Sequence, residues 1–100
     1  MRYYRAMDAA EARYLTEHYQ LPSESGVTYW TDGVEPATLY KGEGRVIVCI
    51  EVIRDMPAGY RGVAEGADEQ GYMNNHAEWV MPKSEWNLWA AHAVEEAYLV

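Results

Sequence analysis

The chain has no phenylalanine, only one cysteine, and half as many basic residues as acidic ones, 8 against 16. Each shortage excludes something. A single cysteine, Cys49, cannot close an internal disulfide, and there is no C-x-x-C or Cys/His cluster to hold a metal. Cys49 lies inside V-I-V-C-I, which predicts a buried, inert thiol, because a reactive one needs an exposed, electropositive setting. The net charge of −8 argues against direct nucleic-acid binding. That binding relies on clustered Lys and Arg to displace counterions from phosphates. No run approaches the roughly 18 apolar residues of a membrane-spanning helix. The opening MRYYRAMDAAEARYL lacks an apolar stretch ahead of a small-residue cleavage site, so cytoplasmic residence is the expectation.

Common catalytic signatures are missing as well. There is no G-x-S-x-G elbow, no P-loop and no G-x-G-x-x-G. His18, His76 and His92 are far apart and lack metal-ligand spacing, so no metal is expected. Nothing nominates a carboxylate pair for glycoside hydrolysis. No repeat, low-complexity tract or linker divides the chain, and its 100 residues read as a single domain, 1–100.

What is present is an ordinary apolar share of 49% and a skewed aromatic set, nine Tyr and four Trp. Both residues pair an apolar body with a polar handle and are enriched at binding surfaces. Residues 1–6 read as a first strand. Asp8 then caps a helix from Ala9 to Tyr19, with Glu11 as its capping-box partner. A second strand covers Val27–Trp30. Asp32 and Pro36 mark a short helix from Glu35 to Lys41. R-V-I-V-C-I-E-V-I, Arg45 to Ile53, is almost continuously β-branched and apolar, and predicts a central strand. Residues 54–75 are rich in glycine and polar residues and predict a long loop with at most one short strand. H-A-E-W-V-M, His76 to Met81, alternates like a strand. Ser84 is placed to cap a last helix carrying Trp86, Trp89, Ala90, Ala93 and Ala97 on one face. A terminal strand at Tyr98–Val100 is consistent with the end of the chain. Two or three helices dispersed among strands give an α+β class rather than a doubly wound one.

Three segments stand out together. Strand one carries Arg5 in Y-Y-R-A-M. Strand two ends in Tyr29-Trp30-Thr31-Asp32, with Ala37 and Tyr40 beyond it. A late strand carries Glu78 in N-N-H-A-E-W-V-M. Here the chain resembles the ADP-ribosyltransferase superfamily. The second segment is similar to that family's Y-F-A-D…A-x-Y element, and the third to its N-E-Y-I-V strand. The first is similar to the opening Y-R strand of the arginine-using branch. The pattern is a hybrid, since Arg5 belongs to one branch and Tyr29 to the other, and it spans residues 3–81. The resemblance implies a split, mixed sheet of the transferase type and NAD as the ligand. It implies Glu78 as the catalytic carboxylate, Arg5 on the pyrophosphate, Tyr29 stacked on nicotinamide, and Thr31 on the ribose or on Glu78. Those roles are chemically coherent. Breaking the nicotinamide–ribose bond builds positive charge on the ribose, which a nearby carboxylate stabilises. Arginine's planar fork suits a pyrophosphate. Trp30 is expected on the opposite face, in the core.

Small size, acidity and excess Tyr and Trp also match phage-encoded proteins that block host defence, such as anti-CRISPR proteins. One expectation is therefore a phage effector that transfers ADP-ribose to a host protein. The alternative is a non-catalytic acidic inhibitor that occupies a host nucleic-acid-binding complex, by mimicry of nucleic acid or by steric block. Mimicry requires the scattered acids to share one face.

Overall fold

The computed structural model describes residues 1–38, 42–67 and 73–100, with side chains described for 1–38, 42–63 and 76–100. The elements run β1 (Arg2–Asp8), α1 (Ala9–His18), β2 (Val27–Thr31), α2 (Val34–Thr38), β3 (Arg45–Val52), a 3-10 turn (Ala58–Tyr60), β4 (Arg61–Ala67), β5 (Met73–Pro82), α3 (Lys83–Ala93) and β6 (Val94–Leu99). The six strands form one sheet in the order β4-β5-β2-β1-β3-β6. The α+β class expected from the sequence is what the structure has. Every pairing is antiparallel, so the parallel component of a mixed sheet is absent among the described strands.

Local signals account for the first half of the chain. Asp8 accepts a hydrogen bond from the Glu11 backbone N–H at 2.8 Å, satisfying one of the unpaired donors that open α1. The reciprocal half of the capping box does not form, because the Glu11 carboxylate turns to Arg5 instead. Tyr19 closes the helix in the left-handed conformation, with its N–H on the Leu15 carbonyl at 2.8 Å.

The second half departs from local signals. Residues 54–75, expected as a loop with at most one short strand, contain the seven-residue β4 and the first residues of β5. Their register runs from Arg61↔Trp79 to Ala67↔Met73. R-G-V-A-E-G-A has little strand propensity, so pairing with β5 decides its conformation. The last helix starts after Pro82 without a side-chain cap, and Ser84 lies inside its first turn. It ends at Ala93, and Ala97 pairs with Ile50 in β6 rather than continuing the helix. The free edge of β3 supplies the reason, since its backbone groups need a partner and β6 provides it. β3 is an interior strand between β1 and β6, while β1 and β2 hold the middle of the sheet.

Strand alternation sorts the side chains onto two faces. On one, Tyr3, Met7, Trp30, Val48, Ile50 and Trp79 join Ala12 and Leu15 of α1 and Trp86 and Ala90 of α3 in the main core. Trp30 stacks on Trp86 with ring centres 5.2 Å apart and planes 5° from parallel. Among the described residues the other face carries α2, whose Ala37 packs with Ala6, Ile47 and Tyr4.

The sheet is nearly divided. β1 registers seven residues against β3, and β2 registers five against β5. Between β1 and β2 only Tyr4↔Thr31 is paired. That seam separates β1-β3-β6 from β2-β5-β4, and the thinly covered face opens there.

Candidate functional site

A cavity of about 490 Å³ lies at the seam. That is within the range of roughly 300–1,000 Å³ typical of small-molecule sites. β1 contributes Tyr4, Arg5 and Ala6, and β2 contributes Tyr29 and Thr31. Glu78 comes from β5, Arg45 from β3 and Ala37 from α2. Arg5, Tyr29, Thr31 and Glu78, which the sequence singles out, thus border one cavity. Tyr40 lies outside the described residues, as does Tyr72.

Backbone register explains the meeting. Thr31 is directly opposite both Tyr4 on β1 and Glu78 on β5. Tyr29 is one diagonal step from Glu78, roughly 7–8 Å in an antiparallel pair. On its other side Glu78 faces Gly62 of β4, and a Cβ built there would meet nothing within 4 Å. Among the described residues no side chain therefore screens Glu78 from that flank. The carboxylate is half-buried and has no ion pair among the described residues.

Tyr29 is 49% exposed, whereas Trp30 is fully buried on the opposite face. The Tyr29 ring therefore borders the cavity without filling it.

Arg5 spans the seam where ladder hydrogen bonds are missing. Its Nη1 donates to the Tyr29 carbonyl at 3.3 Å, and its Nη2 lies 3.6 Å from Glu11 Oε1. Its Nε is buried without a partner. A guanidinium has five N–H donors. One is hydrogen-bonded, Nη2 is held toward Glu11 as an ion pair, and the Nε donor is sealed off, while the residue lines the cavity. Burial pushes the Arg5 pKa below its ordinary value. Glu11 opposes that shift, and the like charge of Arg45 adds to it. An arginine still stays protonated under these influences.

Thr31 is buried, and its hydroxyl donates to the Gly33 carbonyl at 3.0 Å, with the Tyr4 carbonyl at 3.4 Å. The single O–H proton is thus committed to backbone. What Thr31 offers the cavity is an acceptor oxygen, not the donor that the resemblance implies.

Sequence reasoning did not single out Tyr4 or Arg45. Arg45 follows Gly44, whose φ of 78° suits a tight turn that a side chain would strain. No local signal marks it, because the β1–β3 pairing Asp8↔Arg45 is what brings it to the cavity. Cys49 is buried, as expected. Among the described residues no group of three or more His, Cys, Asp or Glu could hold a metal ion, and no helix is long and apolar enough to cross a membrane. No family model, no curated protein and no solved structure matches the chain.

Proposed function

We propose that the seam cavity is a nucleotide site and that the protein is a small NAD-dependent ADP-ribosyltransferase acting on a macromolecular target. The single observation behind this reading is that Arg5, Tyr29, Thr31 and Glu78 border one cavity despite their separation in the chain. The residues suit the ligand. Glu78 is a carboxylate without an ion pair, placed to stabilise positive charge developing on a ribose. Tyr29 offers a half-exposed ring face for a planar base. Arg5 lines the cavity with a guanidinium, a planar fork that suits a pyrophosphate oxygen. Thr31 contributes an acceptor near Glu78.

Calorimetry with NAD, and release of nicotinamide from labelled NAD in the presence of cell lysate, test the reading. Wild-type protein should bind NAD and release nicotinamide. Glu78→Gln should lower turnover by about 10²-fold or more, while its stability stays within about 0.5 kcal/mol of wild type. A wild-type protein that neither binds nor hydrolyses NAD sinks the proposal.

A second reading rests on a different place. Glu51, Glu95 and Glu96 line a shallow acidic depression along the β6 edge. A non-catalytic inhibitor, phage-encoded and anti-CRISPR-like, would present that edge to a basic groove of a host nucleic-acid-binding complex. Its binding would fade steeply with added salt. It would also survive Glu78→Gln and fail on Glu95→Lys.

A further inference from the structure

Arg45 is an exposed arginine whose side chain makes no ion pair or hydrogen bond among the described residues, yet it borders the seam cavity. We infer that Arg45 anchors an anion subsite at one end of that cavity, with Arg5 between it and Tyr29, built to take the diphosphate of an elongated nucleotide whose base lies toward Tyr29. The inference rests on the cavity being the ligand site proposed above. It adds a residue, a polarity and a ligand shape.

The first support is charge. The chain has 8 basic residues and a net charge of −8. Two of those cations border this one cavity, against Glu78 as the one acidic lining residue among those described. An acidic protein repels anions on average, so a local pair of guanidinium groups sets this place apart from the general surface.

The second support is that no acidic side chain among the described residues pairs with Arg45. Its cross-strand neighbour is Asp8. The Asp8 carboxylate accepts the Glu11 N–H at the start of α1, at 2.8 Å, and makes no ion pair with Arg45. Glu11 is turned toward Arg5. The two arginines feel each other, and the Arg45 charge depresses the Arg5 pKa. Like charges bordering one cavity repel, and an anion between them relieves that repulsion and takes up the open donors.

The third support is distance. Arg45 on β3 and Glu78 on β5 are separated by three strand spacings, roughly 14 Å across the sheet. The registers Asp8↔Arg45, Tyr4↔Thr31 and Thr31↔Glu78 add four residues along the strands, roughly 13 Å more. Both side chains reach into the cavity, but a single inorganic ion seated at Arg45 would not meet Glu78 or Tyr29. The site therefore suits a ligand with its anion at one end and a planar ring at the other.

Titration calorimetry with ADP, adenosine and inorganic pyrophosphate tests this on wild type, Arg45→Gln and Glu78→Gln. ADP should bind more tightly than adenosine. Arg45→Gln should weaken ADP and pyrophosphate about 10- to 100-fold, the loss of a charged hydrogen bond or two, and leave adenosine unchanged. Its thermal midpoint should match wild type, because the side chain makes no intramolecular bond. Wild-type protein that does not bind ADP, or ADP binding indifferent to Arg45→Gln, overturns the inference. The two proposals fail separately. Arg45-dependent ADP binding without NAD hydrolysis removes the transferase and keeps the subsite. NAD hydrolysis whose KM is unchanged by Arg45→Gln removes the subsite and keeps the transferase.

Discussion

The two faces of the sheet use the same aromatic residue types in opposite ways. On the helix-covered face, Tyr3, Trp30 and Trp86 are fully buried, and Trp79 nearly so. Tyr3 meets Trp79 edge to face at 5.0 Å, and Trp30 stacks on Trp86. On the other face Tyr29 is half exposed beside a carboxylate and two arginines. The same sheet thus spends one surface on stability and leaves the other open to a ligand. The difference lies in the covering elements. α1 and α3 cover ten and eleven residues, whereas α2 is described over five.

The covered face also carries the tension. The indole N–H groups of Trp30 and Trp86 and the Thr28 hydroxyl are buried without partners. Large apolar rings outweigh these losses, because each fully buried aromatic stabilises by several times one modest hydrogen bond.

Substitutions can break or sharpen the contrast. Trp86→Ala should give the largest effect, a loss of about 3–5 kcal/mol in chemical denaturation, from the cavity left beside Trp30. Asn87→Ala comes next, at about 1–3 kcal/mol. Asn87 accepts the Leu21 N–H at 2.8 Å and donates to the Leu21 carbonyl at 3.2 Å, both buried, and so ties α3 to the loop after α1.

Alkaline pH should then weaken the covered face selectively. Burial raises the Tyr3 hydroxyl above its ordinary value of 10.0, and the Met56 N–H donated to its oxygen only partly opposes this. The folded state therefore keeps this proton after the unfolded chain has lost it. Tyr3's contribution is full below the unfolded value and is lost as the pH rises past it. Denaturant midpoints at about pH 8 and about pH 10.5 should fall further apart for wild type than for Tyr3→Phe, relative to the unfolded reference of tyrosine. Equal gaps would show that Tyr3 does not carry the effect.

Tyr29→Ala should be the mildest, within about 0.5 kcal/mol, because half of that side chain is already in water. It should nonetheless lower nucleotide affinity. If Tyr29→Ala destabilises as much as Trp86→Ala, the open face is a core and the contrast between the faces fails.

Much of the first half was legible because its signals are local. Asp8 and the apolar positions Ala12 and Leu15 announce α1. The run from Val46 to Ile50 announces a strand buried on both sides, and β3 is one. β4 was illegible, since Arg61–Ala67 becomes a strand through pairing with β5. The terminal strand expected at Tyr98–Val100 starts earlier, at Val94, for the same kind of reason, because the edge of β3 overrides the helical preference of Glu95, Glu96 and Ala97. In the site, Arg5, Tyr29, Thr31 and Glu78 were named from short segments, and Arg45 was missed.

The sequence by itself determined the class of fold, the burial of Cys49 and Trp30, and the residue types available for chemistry, because period, propensity and composition act over a few neighbours. Only the tertiary structure decided that β1 and β2 meet through a single pair, that a cavity opens there, that Thr31 gives its proton to backbone and that Arg45 joins Arg5 in lining that cavity. Those outcomes depend on register between strands far apart in the chain, where a shift of one residue would send every side chain to the other face.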